Sequence, residues 1–237
     1  MTNSHSSQNF IQDERFLAVV AEGLKLPLLQ IAYQAELARI QPDGDYHLVS
    51  IENIASRTLQ LVDDYLLSRK IDQVEDIQPL SMTAVLYDVA HQLELLAEEY
   101  SCKVELHIGG KYGPVLAHKQ ALSAALLHLG HAFIEVQKNS NTHKSIIKLA
   151  VHRGRSGIVA GLFAKEPSIS NNMLRQARNL YGQVSQPLNQ FTYSTATDVF
   201  LAEVLLAPIS GGLRVARHQK IAGLAATFIP SHQLSLV

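Results

Sequence analysis

Eleven histidines are the main chemical resource of this 237-residue chain. Two of them, His128 and His131, stand three apart in the apolar stretch ALSAALLHLGHAFIEV. On a helix that spacing puts both imidazoles on one face, which is half of a zinc-type ligand set. No carboxylate or thiol completes the set locally: Glu135 lies one turn beyond His131, and Cys102 belongs to another element. The preferred reading is two ordinary helix histidines, packed or solvated, and no metal or other cofactor is expected. His47 follows the turn-forming run QPDGD and is read as an ordinary surface histidine at the tip of a helical hairpin. The phosphate-loop, dinucleotide and hydrolase patterns G-x-x-x-x-G-K-[ST], G-x-G-x-x-G and G-x-S-x-G do not occur. Two basic groups, Arg153-Gly154-Arg155 and Arg214, Arg217 and Lys220, fall at expected hairpin turns without interleaved aromatic residues. They read as solvated turn charges rather than a nucleic-acid surface.

Those side chains need a scaffold, and the composition supplies one. Hydrophobic residues make up 47% and charged residues 17%, enough to bury a sizeable core. The longest apolar runs, 121–127 and 199–206, fall well short of the roughly 18 residues a membrane-crossing helix needs. The first nine residues, MTNSHSSQN, lack the basic start and apolar stretch of a secretory signal. Cys102 is the only cysteine, which excludes an internal disulfide and fits a reducing cytoplasm. Trp is absent and aromatics are 6%, which argues further against a nucleic-acid platform. The net charge of −1 is unevenly spread. Residues 1–76 carry 6 Lys/Arg against 12 Asp/Glu, or −6, and the remainder 14 against 9, or +5. Two differently built parts follow.

The first part is helical. After a tail at 1–9, expected to be disordered, apolar residues recur at Phe10, Leu17, Leu24, Leu28, Ile31 and Ala35. The turn at 41–45 separates this helix from a second at 46–71, with Leu48, Ile51, Ala55, Val62 and Tyr65 on one face and Ile54, Leu61 and Leu66 beside it. A single hairpin cannot bury so wide a stripe. A four-helix bundle made by two chains solves this, and packing on the chain's own C-terminal part is the alternative. Residues 72–79 read as a charged linker. Beyond it helices are expected at 82–99, 120–136, 171–181 and 198–206. Strands are expected at 103–108, 115–116, 145–151, 157–163, 212–216 and 222–229. The fold class is α+β: a helical hairpin at 10–71 followed by an α/β sandwich at 80–237.

In this order of elements the chain resembles the transmitter core of bacterial sensor histidine kinases. FLAVVAEGLKLPLLQI (16–31) is similar to the phosphoacceptor helix F-L-A-x-x-S-H-E-L-R-T-P-L-x-x-I, with Leu24, Lys25, Pro27, Leu28 and Ile31 in register. PLSMTAVLYDVAHQLELLAEE (79–99) resembles the helix that opens the ATP-binding domain, and 117–136 falls where the asparagine-bearing nucleotide helix belongs. Residues 211–230 resemble the terminal G-G-x-x-x-V…F-x-x-x-x-P hairpin.

The departures from that family are instructive. Glu22 stands at the position of the phosphorylated histidine, and a carboxylate lacks the nucleophilic imidazole nitrogen. Leu127 and His131 stand at the two places expected for the Mg²⁺-binding asparagine, and neither supplies its carbonyl oxygen. The adenine-recognising D-x-G-x-G segment falls on 164–168, so that Ala164 and Ser168 replace a carboxylate and a glycine. The later glycine-rich loop is Thr197-Asp198-Val199, whose side chains at Thr197 and Val199 obstruct backbone approach to phosphates. The resemblance together with these losses implies a catalytically inactive, cytoplasmic, homodimeric signalling adaptor, with no nucleic acid or membrane as partner. Its expected partner is a response-regulator receiver domain, docked on the hairpin around Glu22, Leu26 and Leu29. The alternative is a divergent histidine kinase or phosphotransferase that uses a non-standard histidine.

Overall fold

The computed structural model describes residues 3–40, 44–70, 76–138, 145–165, 174–175 and 193–231, with the backbone alone at 3–20, Glu22, 44–45, Glu99, Lys138 and 193–194. Helices α1 (Asn3–Ile40) and α2 (Gly44–Lys70) pack on each other as the expected hairpin. α1 begins ahead of Phe10, so the tail expected to be disordered is helical from Asn3. Its polar residues contain no Gly or Pro, and nothing in the stretch stops a helix from running through it.

The globular part runs through β1 (Gln78–Leu80), α3 (Met82–Glu99), β2 (Cys102–Ile108), β3 (Val115–Ala117), α4 (Lys119–Lys138), β4 (Ser145–Arg153), β5 (Ile158–Ala164), α5 (Tyr193–Ser210), β6 (Arg214–His218) and β7 (Ile221–Phe228). Five strands form one sheet in the order β2-β4-β5-β7-β6, parallel between β2 and β4 and antiparallel elsewhere. β1 and β3 pair separately, with Leu80 opposite Val115. The linker expected at 72–79 therefore ends in a short strand at Gln78. Three residues are too few for an alternating pattern to mark them in the sequence. The helix expected at 171–181 is described only at Leu174 and Arg175, both helical.

Local chemistry accounts for the elements that carry the core. The Ser81 side chain accepts the Ala84 N–H at 3.4 Å and caps α3. Val85, Val89 and Leu93 follow at four-residue intervals and are buried. Each contributes about 1.5–3 kcal/mol by leaving water. His118 caps α4 in the same manner, its Nδ1 accepting the Ala121 N–H at 3.2 Å. α3 and α4 approach closely at Gly130, where any Cβ would run into the Leu93 side chain.

α5 is apolar almost all round, and its residues 195–202 are buried. A helix of that kind needs cover on every side. α4 provides it on one side, and α1 and α2 on another. Tyr65 of α2 is only 2% exposed and belongs to the same core as Phe200 and Leu201 of α5. The hairpin thus packs partly on its own chain, as the alternative reading had it. Its outer face stays bare at Leu28, Leu48, Leu59 and Leu66, each more than half exposed.

Candidate functional site

The junction of α1, α2, α4 and α5 contains the densest buried chemistry among the described residues. His128 on α4 faces Asp198 on α5, with Nδ1 to Oδ1 at 2.7 Å, and Asp64 on α2, with Nε2 to Oδ2 at 3.0 Å. All three residues are at most 8% exposed. Burial acts to lower the His128 pKa, but the hydrogen bonds to Asp198 and Asp64 outweigh it and raise the pKa to about 9. At neutral pH the ring is therefore an imidazolium that donates both N–H groups. Burial raises the Asp198 pKa, against the opposing pull of His128 and Arg57. The result is a charged bridge tying the hairpin to the globular part.

His131, one turn further along α4, has its rings edge-on to His128 at 6.1 Å between centroids. Burial, then the positive charges of Arg57 and His128, hold its pKa well below the usual histidine range, so it is neutral. Burial and the charge of Asp198 push the Tyr65 hydroxyl well above its ordinary pKa. Beside these groups a cleft of about 200 Å³ opens between the hairpin and the globular part. Leu26 and Pro27 of α1, Arg57 of α2, His131 and Glu135 of α4 and Asp198 of α5 are among its lining residues. Thr195 Oγ1 donates to Oε2 of the lining residue Glu135 at 2.7 Å. α1 comes close to α5 at Gly23, where an added Cβ would lie 3.1 Å from Thr197 Cγ2.

Of the positions singled out by sequence, Leu127, His131 and Thr197 come together on this cleft, along with Leu26. Ala164 and Val199 do not line it; they are buried in the core at 1% and 0% exposure. Leu29 is 59% exposed on α1, away from the cleft. Ser168 and the side chain of Glu22 lie outside the described residues. His47 is not the surface residue expected: it is buried, and its Nδ1 meets Gln34 Oε1 at 2.6 Å across the hairpin. The basic residues Arg153, Arg155, Arg214, Arg217 and Lys220 are exposed, as solvated turn charges should be.

Asp64 and Asp198 were not anticipated as site residues. Their signal was present: Asp198 is one of only two charges in α5, and Asp64 sits next to Tyr65 and one turn from Leu61 on the inward side of α2. The other α5 charge, Glu203, accepts the Leu213 N–H at the turn into β6.

No protein-family model matches the chain, and no curated protein matches it. Solved structures do. The Acinetobacter baumannii histidine kinase AdeS superposes with a TM-score of 0.56 at 12% identity, over 86% of this chain and 96% of that one. The chain has a histidine kinase fold. Full-length ShkA, crystallised in complex with AMPPNP, superposes with a TM-score of 0.55 at 16% identity over 92% of this chain. The histidine-kinase-like chain spans 46% of the length of ShkA. Against that fold, the Asp64–His128–Asp198 bridge joins the helical hairpin to the helices that face it from the sheet domain. No described helix is long and apolar enough to cross a membrane.

Proposed function

We propose that this chain is a catalytically inactive histidine-kinase-like protein of two-component signalling. The hairpin, residues 10–71, serves as its dimerisation module, and residues 80–237 form a degenerate ATPase-like module. The observation that carries the reading is what stands at the positions corresponding to the family's nucleotide site. Leu127, Ala164 and Val199 are buried apolar side chains, and Thr197 is packed against the hairpin at Gly23. Side chains stand there in place of the glycines that let the family's backbone approach phosphates. The charged bridge at His128 supports the same reading, because both ring nitrogens are engaged by carboxylates and neither is available as a nucleophile.

The bare hairpin face supports homodimerisation. Leu28, Leu48, Leu59 and Leu66 are each more than half exposed, and a second hairpin would cover them. Leu29, exposed on α1, and Leu26, 41% exposed at the cleft mouth, are the proposed contacts for a receiver domain, beside Glu22. A cytoplasmic location accords with the single free cysteine, Cys102.

Incubation of the full chain with γ-labelled ATP and Mg²⁺ tests the reading. No acid-labile label should appear on the protein, with an active sensor kinase as the positive control. Stoichiometric histidine phosphorylation would overturn it in favour of a catalytic chain that uses a non-standard histidine.

A further inference from the structure

We propose that His128, His131 and Asp198 bind a single divalent transition-metal ion, Zn²⁺ first among them, at the floor of the cleft between hairpin and sheet domain. One ligand atom from each of the three residues lies within 4.8 Å of the others. The pair of histidines was set aside on sequence because no carboxylate stood nearby in the chain. The fold brings one in from α5, 67 positions beyond His131.

The surroundings fit a metal centre in four respects. Two imidazoles and one carboxylate are ligands that suit zinc. Both helices that carry them are packed into the core, so the ligands sit on rigid elements. Asp64 takes the Nε2–H of His128. That leaves Nδ1, on the Asp198 side, as the ligating atom, and it makes Asp64 the outer carboxylate that commonly orients a metal-bound histidine. Finally, the charges match. With neutral imidazoles, the carboxylates of Asp64, Asp198 and Glu135 against the guanidinium of Arg57 leave −2, which one divalent ion neutralises. Three protein ligands leave a further coordination position open to the cleft.

Seating the ion requires the His128 imidazolium to release its Nδ1 proton to solvent, so that the metal takes the proton's place between His128 and Asp198, and one adjustment of geometry. Asp198 Oδ1 and His128 Nδ1 are 2.7 Å apart. Metal–ligand bonds of about 2.0–2.1 Å at a tetrahedral angle set these atoms roughly 3.3 Å apart. A small rotation of the Asp198 carboxylate achieves that. Because Asp64 belongs to the hairpin, an ion held here also fastens the hairpin to the sheet domain.

The proposal is independent of whether the chain is catalytic. Its test uses tag-free full-length protein, stripped with a chelator and titrated calorimetrically with Zn²⁺; Co²⁺ is added in parallel to read visible d–d absorption. The expected result is one ion per chain and Co²⁺ bands of a low-coordinate nitrogen–oxygen site. His131→Ala, which empties a position on the cleft wall, should lose the site while keeping a wild-type circular dichroism spectrum. Asp64→Asn should weaken binding about 10- to 100-fold. His91→Ala, at an exposed position on α3, should bind as wild type. Absence of stoichiometric binding by the wild type would overturn the proposal, as would unchanged binding by a folded His131→Ala protein.

Discussion

Replacing His128 by Leu tests whether the charged bridge holds the hairpin on the sheet domain. The substitution keeps a buried side chain on α4 but removes the imidazolium between two carboxylates, Asp64 at 3.0 Å and Asp198 at 2.7 Å. Both aspartates are 8% exposed, so water replaces the lost partner only in part. Removing one member of a buried ion pair costs about 3–5 kcal/mol. Here two carboxylates lose one shared partner, and each can limit the loss by taking up a proton, at about 1.4 kcal/mol per pKa unit. The expected destabilisation is therefore about 3–5 kcal/mol for the pair together, not twice that amount. For a chain of this size each kcal/mol moves the melting temperature by about 2–4 °C, so a fall of roughly 6–20 °C is predicted. The assay is thermal unfolding followed by circular dichroism, with chelator in every sample so that only the protein's own network is read. Lowering the pH should shrink the difference, because the stranded carboxylates then become neutral. A fall of under about 2 °C at neutral pH, with no pH dependence, would refute the reasoning: the bridge would then contribute nothing beyond its shape.

Three further outcomes are expected. Leu48→Asp should convert a dimer of full-length chains into a monomer by light scattering at tens of micromolar, with the fold intact, since Leu48 is 57% exposed within one chain; an unchanged dimer mass would move the interface elsewhere. Leu26→Asp with Leu29→Asp should abolish binding of a receiver domain measured by interferometry and leave the dimer mass unchanged, whereas loss of the dimer would place these residues in the bundle. Burial lowers the pKa values of His152 and His218, with Arg214 adding to the effect on His152, and with His152, His107 and Lys148 adding to it on His218. The unfolded chain therefore binds more protons than the folded one below the usual histidine pKa near 6.5. Stability should be fully present above that pH and decline as the pH falls through it. His218→Phe, packed beside Phe163 at 5.4 Å, should flatten that acid-side decline in urea titrations; an unaltered slope would contradict the assignment.

The helical hairpin was legible because its apolar residues recur at helical spacing around a turn rich in Pro, Asp and Gly. The terminal hairpin was legible because Gly211 and Gly212 mark its start and a largely apolar run, 221–229, closes it. β1 was not legible, since three residues carry no period, and the start of α1 was not, since polar residues neither demand nor forbid a helix. The site itself was half visible. His128 and His131 stood out by type and spacing. Asp64 and Asp198 did not, because their meaning comes from three helices converging, and no local pattern encodes that convergence. An acidic residue in the buried stretch of the largely apolar α5 was the available clue: a carboxylate is buried there only if a partner meets it. His47 was misplaced for a related reason. The hairpin tip looked exposed from one helix, and Gln34 on the other helix covers it.

The central claim, that a histidine kinase fold persists here without its nucleotide, is tested most directly by the thermal response to MgATP. A ligand present at 100 times its Kd stabilises the folded state by about 2.7 kcal/mol, which corresponds to a rise of roughly 5–11 °C for a chain of this length. Metal-stripped full-length protein in millimolar MgATP should melt at the same temperature as in Mg²⁺ alone. A rise of that size, abolished by omitting the nucleotide, would contradict the claim.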